Sequence, residues 1–168
     1  MQNNNRDRKD RGGRSSQGRQ DKEFEQKVID LARVTRVVAG GKRMRFRACV
    51  VIGDQKGRVG MALAKGADVS SAVNKAVIKA KKHLVTVPIV NDTIPHDLKM
   101  HYKSAFLLMK PAPKGSGVIA GGAVRSVMSL AGVTNVVCKM MGSNNKINNV
   151  KAVIKALSSF RSKSLYKV

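Results

Sequence analysis

Over KRMRFRACVVI, residues 42–52, charged and apolar positions alternate with period two. Arg43, Arg45 and Arg47 fall on one face of a strand, and Met44, Phe46, Ala48, Val50 and Ile52 fall on the other. Gly40 and Gly41 stand just before it, between this run and another β-rich run ending at Val38, a pattern that predicts a hairpin with its glycines at positive φ. Upstream, residues 24–38 carry Val28, Ile29, Leu31, Val34, Val37 and Val38 without a clean period, and read as a helical turn that passes into a strand. Gly53, Asp54, Gln55, Lys56 and Gly57 predict a second tight reversal, giving three antiparallel strands.

The period then changes. Asp68 has the right residue type to N-cap VSSAVNKAVIKAKKHL, where Val69, Val73, Ala76, Val77, Ala80 and Leu84 share one helical face and Lys75, Lys79 and Lys82 form a separate stripe. VPIVNDTIPH, with Pro88 and Pro95, lacks helical periodicity and reads as a link over residues 88–100. Beyond it the chain predicts a strand near 102–110, a glycine-rich turn and helix to Ala131, a strand at TNVVCKM and a polar turn GSNNK. A last helix from about Ile147 to Phe160 has Ile147, Val150, Ile154 and Leu157 on one face and Lys151 and Lys155 on another. The fold class is α+β in two modules: a βββα unit over residues 23–87 and a second α+β unit over residues 101–168. Residues 1–22, whose one hydrophobic residue is Met1, cannot offset their ordering entropy and are expected to be a disordered basic tail, either a solvated segment or an arm that orders on RNA.

Charge narrows the function. The 168 residues hold 33 Lys and Arg against 10 Asp and Glu, a formal net charge of +23 that self-repels unless a polyanion neutralises it. Nucleic acid is the expected partner. No apolar run approaches the roughly 20 residues that span a bilayer, so no membrane partner is expected. The N-terminus has no apolar signal core and mixes its basic residues with Asp7, Asp10 and Asp21, unlike a transit peptide, and a cytoplasmic location follows. Cys49 and Cys138 lie far apart within apolar runs and read as buried, reduced thiols; with His83, His96 and His101 they show no paired-ligand spacing, so no metal is expected.

One motif points toward chemistry. In KGSGVIAGGAVRSVMSLAG, Lys114 to Gly132, the segment GSGVIA fits the glycine fingerprint that brings a backbone close to a pyrophosphate at a helix N-terminus. A dinucleotide site then needs an acidic residue about 20 positions on. That place lies around Asn135, and no Asp or Glu follows Asp97. A Walker loop fails as well, lacking both Gly-Lys-Ser/Thr and a downstream carboxylate. Residues 98–168 hold twelve Lys or Arg and no acid, so this half supplies no carboxylate pair, metal cage or acidic partner for a catalytic His. Neither an enzymatic role nor a cofactor is expected. The glycines Gly115, Gly117, Gly121 and Gly122 then serve tight packing, or packing together with a backbone phosphate of RNA held near Lys114 and Arg125.

The candidate RNA-binding residues follow from where the basic charge is aimed. The strand face carries Arg43, Arg45 and Arg47; the hairpin adds Arg36, Gly40, Gly41 and Lys42; the next turn adds Lys56 and Arg58. Guanidinium forks beside protruding loops suit phosphate. Lys114, Gly115, Gly117 and Arg125 form a second group. Ser143, Asn144 and Asn145 in the GSNNK turn either donate to RNA or simply cap the last helix. With two Tyr, four Phe and no Trp, platforms for stacking single-stranded bases are scarce, and contact with folded RNA through shape and phosphates fits better. An RNA chaperone that binds many RNAs, and an ATP-dependent small-molecule kinase, are the alternatives.

From about Val28 to Phe160 the chain resembles the bacterial-type family of small-subunit ribosomal protein five. Five ordered motifs carry the resemblance: RVTRVVAGGKRMRFRACVVIGDQKGRVG, NKAVIKAKKHL, TIPH, PAPKGSGVIAGGAVRSVMSLAG and GSNNKINNVKA. It implies an N-terminal fold like a double-stranded-RNA-binding domain, then an α+β domain shared with some small-molecule kinases. It also implies binding to small-subunit ribosomal RNA, contact with neighbouring proteins of the S-four and S-eight families, a place along the messenger RNA entry path, and influence on decoding accuracy. Ala39 to Arg43 match the family loop whose changes confer spectinomycin resistance. Met61, Ala62, Leu63, Ala64, Lys65 and Gly66 depart from the family's glycine-rich run, and His101 to Ala105 depart from a glycine-containing one. RNA contacts at Lys65 are therefore not carried over, and no decoding role is assigned to His101 to Ala105.

Overall fold

The computed structural model describes residues 23–160. The basic tail expected over residues 1–22 and the last eight positions of the second unit lie outside the described residues.

A four-stranded antiparallel sheet opens the described chain in the order β1 (Glu25–Val38), β2 (Gly41–Gly53), β3 (Arg58–Gly66), β4 (Leu84–Thr86). The expected helical turn at the start of β1 is absent. The segment pairs with β2 throughout, and a bulge between Val28 and Asp30 resets the strand's phase, which is why its apolar residues have no single period. At the hairpin, only Gly41 takes positive φ, at 134°, so the expectation that both glycines would do so fails at Gly40. The helix α1 (Val69–Lys81) covers one sheet face with Ala72, Ala76 and Ala80 innermost and Val73 and Val77 at the margins. Asp68 stands at the N-cap, but its side chain makes no capping bond. Leu84, expected on this helix, belongs instead to β4, because the helix ends at Lys81.

The second sheet runs β5 (Leu98–Tyr102), β6 (Ala105–Pro111), β8 (Val136–Gly142), β7 (Val118–Ile119), with β7 parallel to β8 and the other pairs antiparallel. The single strand expected near 102–110 is a hairpin. Its turn passes through Lys103 at φ 53°, a residue type that carries no turn signal. Two helices, α2 (Gly122–Ala131) and α3 (Lys146–Ser159), complete the unit. The segment between the sheets is packed rather than extended: Ile94 is buried, and Val90 and Thr93 bridge across Asn91 and Asp92, both at positive φ.

Burial explains how the halves join. On β2, Ala48, Val50 and Ile52 pack under α1, while Val51 joins a core with Leu107, Met109, Val127, Met128 and Val153. The strand is thus buried on both faces from Ala48 to Gly53, and each fully buried Val there contributes about 1.5–3 kcal/mol relative to exposure. The β2–β3 turn is latched to the end of α2: Gln55 N–H donates to the Leu130 carbonyl at 3.0 Å and Gly57 N–H to that of Ala131 at 2.9 Å. Gly132, the left-handed C-cap at φ 86°, lies so close that a Cβ would overlap the Gln55 carbonyl. Replacing Gly132 by Ala is expected to destabilise the fold by about 2 kcal/mol or more. Gly40→Ala, where no atom lies within 4 Å of the added carbon, should stay within about 0.5 kcal/mol of the parent. Urea unfolding of both variants checks the contrast.

Candidate nucleic-acid interface

Directly opposed residues of an antiparallel pair point to the same face. Arg43 pairs with Arg36, Arg45 with Val34, and Arg47 with both Ala32 and Lys65. Arg36, Arg43, Arg45, Arg47 and Lys65 therefore share one face of the sheet, the one opposite α1. With Val34 and Val38 as apolar floor, the outer part of that face forms a groove of about 550 Å³ lined by Arg36, Arg43, Arg45 and Lys65. Like charges set directly across a sheet destabilise it. Two such pairs occur here, Arg36 with Arg43 and Arg47 with Lys65.

The groove exists because the hairpin outruns its helical cover. Farther along, the same face supplies Val51 to the core with α2 and α3, while at the hairpin end even the α1 face is bare: Met44, which alternation sets on the apolar face, is 52 % exposed and Val37 73 %. Gly40, Gly41 and Lys42 form the exposed tip. Arg47 sits at the boundary, half-buried, with one guanidinium nitrogen 3.8 Å from Asp30 and its Nε buried without a partner. The second oxygen of Asp30 is 3.8 Å from Nζ of Lys146 at the start of α3. Among the described residues, Arg47 is the one groove-face cation with a carboxylate within 4 Å.

Other candidates have partners within the chain. Nε of Arg58 donates to Asp54 at 2.6 Å, its Nη2 donates to Glu23 at 3.2 Å, and its guanidinium lies 5.2 Å from the centre of the Phe24 ring. Lys56 is exposed, though its backbone N–H, like that of Arg58, donates to Asp54 Oδ1 at 2.9 Å. Asn145 caps α3 by accepting from Ile147 N–H at 3.1 Å, and Ser143 Oγ accepts from Asn145 N–H at 3.1 Å. Asn144 is exposed. Lys114 and Arg125 are exposed on the second unit, whereas the Gly115 and Gly117 amides donate inward to Asn135.

Two contributors escape sequence reasoning. Lys65 lies in a segment that departs from a glycine-rich run, and only its pairing opposite Arg47, readable once β2 and β3 are put in register, places it in the groove. Asn135 stands in the sequence merely where a dinucleotide site would need an acid. Cys49 and Cys138 are buried free thiols, and desolvation pushes their pKa values up to about 11 and about 12. Among the described residues no three His, Cys, Asp or Glu side chains gather as a metal site, and no helix is long and apolar enough to cross a membrane.

Comparison with known proteins meets this geometry at both sheets. The family model for the N-terminal domain of ribosomal protein S5 matches residues 24–88, and that for its C-terminal domain matches residues 100–166. The chain belongs to the ribosomal protein S5 family. It is 47 % identical over 140 residues to the small ribosomal subunit protein uS5c of Emiliania huxleyi, covering 83 % of this chain and 88 % of that one. It is 47 % identical over 153 residues to uS5 of Trichormus variabilis, covering 89 % and 88 %. Against uS5c of Spinacia oleracea the identity is 49 % over 139 residues, covering 82 % of this chain but 45 % of that longer protein. The S5 family is structural rather than enzymatic, and its two domains account for the α+β units seen here.

The Asp54 clasp is expected to make part of the stability of this S5 chain depend on pH. Burial of the side chain, 4 % exposed, pushes the carboxyl pKa up, but the Arg58 side chain and the Lys56 and Arg58 amides outweigh it and hold the value below the ordinary 3.8. A depressed folded-state pKa gives stability that is present above the unfolded value and lost as pH falls through the folded one. Asp54→Ala is expected to cost about 1–3 kcal/mol near neutral pH. It should also flatten the loss of stability below about pH 4, which urea unfolding from neutral to acid pH measures.

Proposed function

We propose that the chain, a structural constituent of the small ribosomal subunit, grips ribosomal RNA with the groove on its first sheet. It does so by neutralising phosphates and fitting folded RNA, not by reading bases. The observation that carries this reading is the pairing of Arg36 against Arg43 and Arg47 against Lys65. The sheet accepts local repulsion that a polyanion relieves, and arginine forks suit phosphate oxygens. Gly40, Gly41 and Lys42 at the tip let RNA approach closely, with Gly40 unconstrained by any neighbouring atom of the chain. Lys56 adds charge beside the second turn. Arg58 contributes mainly to the fold, since its Nε and Nη2 are engaged by Asp54 and Glu23.

On the second unit, Lys114, Arg125 and Asn144 present donors to the same RNA, while Gly115, Gly117, Ser143 and Asn145 shape the loops that carry them. The resemblance to the family extends the proposal to neighbours of the S-four and S-eight families, to the messenger RNA entry path and to a cytoplasmic ribosome. No catalytic role is proposed, because the loop amides that a nucleotide would need are already bonded to Asn135.

Combining Arg43→Ala, Arg45→Ala and Lys65→Ala should weaken binding to small-subunit ribosomal RNA. The slope of log affinity against log salt should fall by about 0.7–0.9 for each phosphate that the variant no longer neutralises. Arg58→Ala should lower the melting temperature and leave that slope unchanged. An unaltered slope in the triple variant would remove the groove from the interface.

A further inference from the structure

The loop between β6 and β7 has the spacing of a phosphate cradle and is bent like one. Gly115 at φ 91° and Gly117 at φ 68° turn their N–H groups toward a common point, the nest geometry that ordinarily receives an anion. Here the chain fills the nest itself. Oδ1 of Asn135 accepts from Gly115 N–H at 3.0 Å and from Gly117 N–H at 3.2 Å.

The acceptor is held from behind. Asn135 is 6 % exposed, and its Nδ2 donates to Thr134 Oγ1 at 2.9 Å. The backbone N–H groups of Thr134 and Asn135 and the Thr134 hydroxyl all donate to the Asp92 carbonyl, at 3.1–3.2 Å. Asp92 belongs to the tight turn bridged by Val90 and Thr93. Val136 N–H closes the other side by donating to the Gly117 carbonyl at 3.2 Å. A bonded path therefore runs from the inter-sheet segment through Asn135 into the glycine loop. Lys114, next to Gly115, is left exposed.

We infer that Asn135 is a positioning residue of the RNA interface: its carboxamide takes the anion's place in the nest and fixes the loop in the shape that presents Lys114. The inference rests on the reading that Lys114 meets RNA. A neutral acceptor suits the task, since a carboxylate there would offset the lysine's charge and be costly to bury, whereas the amide oxygen satisfies both donors without doing so. A phosphate bound in the nest would have to displace Asn135 first.

Two measurements on the full chain test this. Amide hydrogen exchange should find the Gly115 and Gly117 amides protected in the parent protein and in Asn135→Asp, which keeps an acceptor, and unprotected in Asn135→Ala. Unprotected amides in the parent overturn the inference even if the alanine variant fails to fold. Binding to small-subunit ribosomal RNA should then show the same reduced salt slope for Asn135→Ala, Lys114→Ala and the double variant, about 0.7–0.9 below the parent for a single phosphate. If Lys114→Ala lowers the slope and Asn135→Ala does not, the positioning role is overturned and the RNA contact stands. If neither changes it, the RNA contact at Lys114 falls, and the inference with it.

Discussion

The structure depends on one strand being treated differently at its two ends. From Ala48 to Gly53, β2 lies between α1 and the core built with α2 and α3; from Gly41 to Arg45 it projects beyond that cover with Arg36 across from Arg43, and at the boundary Arg47 faces Lys65. The buried end is anchored well enough to carry the repulsive end. The latch of Gln55 and Gly57 onto the end of α2 sets the cover at its observed position, so the point where the core stops is also the point where the groove begins. A chain of net charge +23 thereby concentrates cations on one face without unfolding it.

Asp54, Glu23 and Asp30 hold cations within the fold. Asp54 ties the β2–β3 turn and Arg58, Glu23 adds a second carboxylate to that arginine, and Asp30 lies between Arg47 and Lys146, on elements of the two units. Each is near cations that a reader of composition alone would count as available to RNA. Arg58 and Arg45 look alike in the sequence, yet one is engaged by two carboxylates and the other lines an open groove. The glycine loop teaches the same lesson in reverse. Its fingerprint reports a true backbone shape, but Asn135, 18 to 20 positions on, supplies the acceptor that a ligand would otherwise provide.

Much of the architecture was legible because local and tertiary signals agree. The arginine alternation, the two helices with lysines on separate stripes, and the turn residues at Gly53 to Gly57 all correspond to elements in the structure. The rest was hidden for identifiable reasons. A bulge at Val28 to Asp30 broke the period of β1, and Lys103 made a turn without glycine or proline. The three-residue β4 is too short to carry a pattern. How far the helical cover extends along β2 is a tertiary fact, so Met44 is exposed although alternation puts it on the same face as the buried Ala48, Val50 and Ile52. Lys65 needed strand register, and Asn135 needed the fold itself.

The central claim is that the groove beside the β1–β2 hairpin is a seat for the RNA backbone. A cryo-EM map of small ribosomal subunits containing this chain addresses it most directly. The account predicts ribose-phosphate density along the groove, with phosphate oxygens in hydrogen-bonding range of Arg43, Arg45 and Lys65. A groove open to solvent, or filled by another protein, would contradict it.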